Sequence, residues 1–196
     1  MKILLHICCA PCATYPAATL LDSGHQVRGF FFNPNIHPYQ EFSRRMAALE
    51  DYTGKTGLPI IWDRTYDLEG FLRRIVFREQ ERCRFCYHLR LTAAAKVARS
   101  GKFDAFTSTL LYSKFQNHAL IRELGDQVGR DVGVPFYYED FRQGWETGIT
   151  QSKQMGLYRQ QYCGCIFSER DRFLHPPRNS RGTGLPDSVP EPAKKA

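Results

Sequence analysis

Seven cysteines fall in three tight groups, Cys8-Cys9-Ala10-Pro11-Cys12, Cys83-Arg84-Phe85-Cys86 and Cys163-Gly164-Cys165, with none between them. Cysteines scattered through a core do not cluster in this way. If the fold gathers the groups, the product is a soft-metal or redox site. Two bare thiolates 4 Å apart repel by about 4 kcal/mol at an effective dielectric near 20. Gathered thiols therefore require protons, a disulfide or a metal cation. Four thiolates suit zinc or an iron–sulfur cluster, and seven exceed what one structural zinc site would use.

Each group carries its own chemistry. Cys83 and Cys86 stand three apart and share one face at a helix start, where free backbone N–H groups and the macrodipole favour the thiolate. Beside alternating strands and helices, the same spacing also suits a redox dithiol. Cys163 and Cys165, one residue apart, would form a strained and easily reduced bridge or a pair of metal ligands. Gly164 between them permits the torsions that either requires. Adjacent Cys8 and Cys9 can face one centre only from an unusual turn, which Ala10-Pro11 suggests.

The remaining composition narrows the setting. The 196 residues suffice for one ordinary domain, and 42% hydrophobic content can fill its core. No run of eighteen apolar residues implies a membrane span, and the apolar start is too short for a signal peptide. A reducing cytoplasm is the expected location. A net charge of +7 favours polyanionic partners, nucleic acid first.

Elements must then bring the thiols together. Strands are predicted at residues 3–9, 27–33, 58–63, 103–110 and 134–138. Helices are predicted at 13–23, across Phe42 to Tyr52 with Gly54 as its stop, at 67–81, at 83–99, after the cap Asn117, and at 146–157. This alternation predicts an α/β fold, a parallel sheet of about five strands covered on both faces. Ligands of such sheets sit beyond the carboxyl ends of the strands. Cys8 and Cys9 fall there, as do Asn33–His37, Tyr112–His118 and Glu139-Asp140. His6, in mid-strand, reads as a core histidine. Residues 1–174 are expected to form one domain, and the proline-rich residues 175–196 a disordered tail.

Five segments resemble one family: His6-Ile-Cys-Cys-Ala-Pro-Cys12, Phe32-Asn-Pro-Asn-Ile-His-Pro38, Glu81-Arg-Cys-Arg-Phe-Cys-Tyr-His-Leu-Arg90, Thr107 to His118, and Gly156-Leu-Tyr-Arg-Gln-Gln-Tyr-Cys-Gly-Cys165. The likeness is to epoxyqueuosine reductase QueH and runs from residue 1 to about residue 170. It implies a Rossmann-like, HUP-type three-layer α/β/α fold and a [4Fe-4S] cluster. It also implies cobalamin-independent reduction of epoxyqueuosine to queuosine at the tRNA wobble position. No Ser-Gly-Gly-x-Asp-Ser phosphate loop follows the first strand, so ATP is not expected.

Carried over by residue, the resemblance makes Cys8, Cys9, Cys83 and Cys86 the cluster ligands. Cys163 and Cys165 become a redox-active disulfide pair or, with Cys12, ligands of a second metal, iron or zinc. The step is a two-electron deoxygenation supplied by a ferredoxin- or flavodoxin-like donor. Candidate proton donors on the rim are Tyr112, Lys114, His118 and Asp140. For tRNA, the candidate surface is Arg73, Arg74, Arg78, Arg82, Arg84 and Arg90 interleaved with Phe71, Phe77, Phe85 and Tyr87. Two rivals remain open: a metal-free thiol–disulfide oxidoreductase and a zinc-stabilised RNA-binding module.

Overall fold

The computed structural model describes residues 1–174, so the expected tail lies outside the described residues. Four parallel strands form one sheet in the order β3-β2-β1-β4: β1 Lys2–Ile7, β2 Gln26–Phe32, β3 Ile60–Asp63 and β4 Ala105–Ser108. β1 is central and pairs with both β2 and β4. Ile3, Leu4, Leu5 and Ile7 are fully buried, as a strand covered on both faces demands. The strand order turns at β1 and β4, and the crevice of a doubly wound sheet opens at that point.

Helices complete the three layers. α1 (Ala10–Asp22) and α2 (Tyr39–Thr56) follow the first two strands, α3 (Leu68–Ile75) and α4 (Arg82–Ser100) follow β3, and α5 (His118–Val132) follows β4. Two further helices follow among the described residues, α6 (Trp145–Gln154) against α1 and α7 (Ile166–Phe173). Asn117 caps α5 as expected, its side chain accepting from Leu120 N–H at 3.1 Å.

Departures from the sequence expectations have local causes. The fifth strand reduces to a single parallel bridge between Phe106 and Phe136. Pro135 has no N–H to donate, and its carbonyl only accepts from Phe106. β3 starts two residues late because Pro59 likewise cannot donate. α2 runs past Gly54 to Gly57, which adopts the left-handed cap at φ 71°. The helix expected over 67–81 stops at Ile75: Phe77 takes a φ of 65° and stands 94% exposed.

Candidate metal centre

The first thiol group sits where β1 hands over to α1. Cys9 is the N-cap of α1 in ordinary extended backbone (φ −168°, ψ 161°), and Pro11 occupies the first turn, where its missing N–H costs nothing. The unusual turn expected for Cys8-Cys9 is therefore not needed. An extended cap followed by a helical turn directs all three side chains to one point. The Sγ atoms of Cys8, Cys9 and Cys12 lie within 4.8 Å of one another, buried among the ends of β1 and α1. Cys8 and Cys9 are 3.8 Å apart. A tetrahedral ion with metal–sulfur bonds of about 2.3 Å has sulfurs about 3.8 Å apart.

Polar groups attend these sulfurs. The Thr109 hydroxyl, just beyond β4, accepts from Cys8 N–H at 3.1 Å and donates to Cys8 Sγ at 3.3 Å. Gln160 Nε2 donates to Cys9 Sγ at 3.0 Å and to Cys12 Sγ at 3.5 Å. Hydrogen bonds from Cys12, Cys9 and Thr109 pull the Cys8 thiol well below the ordinary range. Cys9 is pushed up, chiefly by burial, and Cys12 by its bonds to the other two sulfurs. Of the three, Cys8 is thus the one whose thiolate the site favours. A metal would displace the remaining protons.

The second group opens α4. Cys83 is exposed in its first turn and Cys86 is half-buried one turn on. The thiolate-favouring effect expected of a helix start does not prevail. Desolvation and the neighbouring Cys163 raise Cys83 against the pull of Arg82, and burial raises Cys86 to about 11. Asn35 opposes that rise, and its buried Nδ2 has no other partner.

The third group is held by a clamp that the sequence analysis missed. Arg45, fully buried, donates from Nε to Glu41 at 2.7 Å. Its two terminal nitrogens donate to the carbonyls of Cys163 and Tyr162 at 2.8 and 2.9 Å. His37 N–H donates to the Gly164 carbonyl at 2.7 Å, and the Tyr162 hydroxyl donates to the His37 carbonyl. Gly164 has a φ of 152°, and a Cβ there would press on Ile36 and Arg45. The glycine is therefore required for this loop. Cys165 then starts α7 as its N-cap. All seven cysteines are free thiols, so of the two expectations for Cys163 and Cys165, a bridge or a pair of metal ligands, the bridge is not formed.

Two buried guanidinium groups tie the groups into one electrostatic site. Arg90 is 2% exposed and donates to Asn35 Oδ1 from two nitrogens, with no carboxylate at ion-pair distance among the described residues. Burying a cation is costly unless an anion faces it. Arg90 favours the thiolates of Cys8, Cys86 and Cys163 against the upward pull of burial. Arg45 is paired in the same sense with Cys9 and Cys8. Arg90 is thus a correction to the expected tRNA surface. Its i,i+4 spacing from Cys86 was the available signal. Arg82 pairs with Asp171 and Arg84 with Glu123, while Arg73, Arg74 and Arg78 are exposed.

A cavity of about 590 Å³ opens above the site, with Cys12 and Cys163 in its wall beside Tyr112, Trp145, Arg159 and Gln160. Gln116 Nε2 donates to Cys163 Sγ at 3.3 Å. Of the expected proton donors, Tyr112 lines this cavity. Its hydroxyl donates to the Trp145 carbonyl at 2.8 Å, and burial raises its pKa ahead of the nearby Cys12. Lys114 lies over the rings of Trp145 and Phe115. His118 lines a neighbouring cleft with Arg122, Tyr138 and Arg142. Asp140 is bound by Arg142, which holds its carboxyl down to about 2. At neutral pH it is ionised and has no proton to give.

The described residues include no helix long and apolar enough to cross a membrane. A family model described as "Epoxyqueuosine reductase QueH" matches residues 3–171. Proteins of that name are similar over most of their length. The one from Dehalococcoides mccartyi is 33% identical over 175 residues, covering 89% of this chain and 96% of its own. The one from Thermotoga maritima is 31% identical over 182 residues, covering 87% and 91%. That of Staphylococcus epidermidis is 35% identical over 181 residues, covering 85% and 76%.

Proposed function

Because this chain belongs to the epoxyqueuosine reductase QueH family, we propose that it reduces epoxyqueuosine to queuosine at the wobble position of tRNA. The observation that carries this reading is the Cys8, Cys9 and Cys12 trio, within 4.8 Å at the carboxyl end of the central strand. The donor set fits a soft metal. Two buried guanidiniums supply positive charge to it, and Asn35 Nδ2 has no partner beyond Cys86.

On this reading Cys8, Cys9, Cys83 and Cys86 hold a [4Fe-4S] cluster. Cys163 and Cys165 serve as a redox pair or, with Cys12, as ligands of a second metal, iron or zinc. When bound, the cluster would supply electrons one at a time. Overall, the epoxide oxygen leaves as water, and two electrons and two protons convert the ring to its alkene. Tyr112, the candidate proton donor that lines the cavity, is held protonated by burial and would have to release its hydroxyl from the Trp145 carbonyl to give that proton. The stacked rings of Tyr112 and Trp145 give the cavity an apolar wall against which the substrate ring would lie. An iron–sulfur or flavin-type protein is the chemical class of the electron donor. Residues 1–174 act as one catalytic domain.

Anaerobic purification followed by iron and sulfide analysis, EPR and assay on epoxyqueuosine-containing tRNA tests this. Brown protein with about four iron and four sulfide per chain, active without cobalamin, is expected. Colourless protein without iron would sink it. The 3.8 Å spacing of Cys8 and Cys9 favours one second reading, a single zinc ion on the trio of a non-catalytic RNA-binding module. Stoichiometric zinc with no iron, and tRNA binding without turnover, would establish that alternative.

A further inference from the structure

The thiol cavity, about 590 Å³, has the volume of an ordinary small-molecule pocket, about 300–1,000 Å³, enough for a nucleoside. An RNA chain entering it must pass over the rim on either side. On that rim, in the loop between β4 and α5, Phe115 is 79% exposed. Its ring stands edge-on to Trp145, with centroids 5.8 Å apart and planes at 83°. Trp145 in turn stacks on Tyr112 at 5.2 Å. The Lys114 ammonium lies 5.7 Å from the Phe115 centroid and 5.1 Å from that of Trp145.

Nothing in the packing of the core requires a phenylalanine at this place. The charge around it is one-sided. Arg159 and Arg172, both exposed, share the cavity wall. The acid in that wall, Asp171, is bound to Arg82 and Arg170. A free aromatic face among cations suits a stacked base followed by a phosphate. An apolar protein surface would not call for three cations.

We infer that Phe115, with Lys114 and Trp145, forms a stacking step that takes the base adjoining the modified nucleotide of an unpaired RNA strand. The intervening phosphate lies toward Arg159 and Arg172. The inference rests on the tRNA reading above. Phe115 then supplies binding independent of base identity, because every base presents a π-face.

The test compares wild type, Phe115→Leu and Phe115→Tyr, using dithionite as reductant. Turnover on epoxyqueuosine-containing tRNA and binding of a fluorescent anticodon stem-loop are measured together. Phe115→Leu should raise KM for tRNA and Kd for the stem-loop roughly tenfold, the size of one base–aromatic stack, with the loss in KM rather than kcat. Phe115→Tyr should restore both. Unchanged KM and Kd in Phe115→Leu, with wild type active, would overturn the inference and leave the function standing. If wild type shows no turnover, the functional reading fails. A stem-loop Kd unchanged by Phe115→Leu would then overturn the inference as well, and a tenfold loss would uphold it. An effect seen only when a reduced flavodoxin replaces dithionite would reassign this face to the electron donor and overturn it.

Discussion

Arg45 reaches two consecutive carbonyls of the Cys163 loop while bound to Glu41, itself held by the Tyr158 hydroxyl at 2.6 Å. Only a planar fork can do this. Arg45→Lys keeps the charge but gives up at least one carbonyl. It should cost about 1–3 kcal/mol of stability and lower turnover roughly tenfold, with tRNA affinity unchanged. Denaturant midpoints and steady-state kinetics check this, and wild-type turnover in the variant would contradict it. At this scale the cysteine groups were legible from type and spacing alone. Arg45 and Glu41 were not, because a charged i,i+4 pair on a helix reads first as a solvated face. Only their burial, created by the loop from 157 to 165, turns them into a clamp. Arg90 was misassigned for the same reason. Its charge was visible in the sequence, but the thiols it faces are brought to it by other elements.

Among the elements, the stretch from α3 into the middle of α4 divides its arginines between two tasks. Arg74 covers the Phe85 ring at 5.4 Å and Arg73 and Arg78 are exposed, while Arg90 points inward. Replacing Arg74 and Arg78 together by alanine should weaken tRNA binding and reduce its salt slope by about 1–2, leaving metal content intact. Arg90→Met should instead lower iron incorporation by half or more at unchanged salt slope. Filter binding across a salt series, with iron analysis, separates the two. The reverse pattern would show that the sequence-based assignment of Arg90 was right. The alternation of strands and helices was legible because hydrophobic period and glycine stops agree along most of the chain. It failed at Pro59 and Pro135, where apolar runs promise strand and a missing N–H shortens it. It failed again at Phe77, where a helical pattern meets a left-handed residue.

For the molecule as a whole, acid should be destabilising. His6 and His37 are held neutral by burial and then by the Arg90 cation, both down to about 4. In the unfolded chain both titrate near 6.5. Between about pH 6.5 and 4 the unfolded state therefore binds more protons. The stability these groups contribute is complete above that window and lost through it. At about 1.4 kcal/mol per pKa unit, the loss is at most roughly 3 kcal/mol for each histidine. Melting temperatures of the metal-free protein should fall across this window, and a flat profile would contradict the assignment. Because the net charge is +7, tRNA affinity should also fall steeply between low and physiological salt. A flat response would remove nucleic acid from the account.

The thiols come from the first, middle and last parts of the chain, and this orders events in the cell. Cys8 and Cys9 are made well before Gln160, which lies 151 residues beyond Cys9, and before the loop clamped by Arg45. At roughly 5–20 residues per second, the leading sulfurs wait for something like 10–30 s before their pocket exists. On the proposed metal reading, the full set of sulfurs is available only once residue 165 has been made, and until then the leading thiols depend on a reducing surrounding.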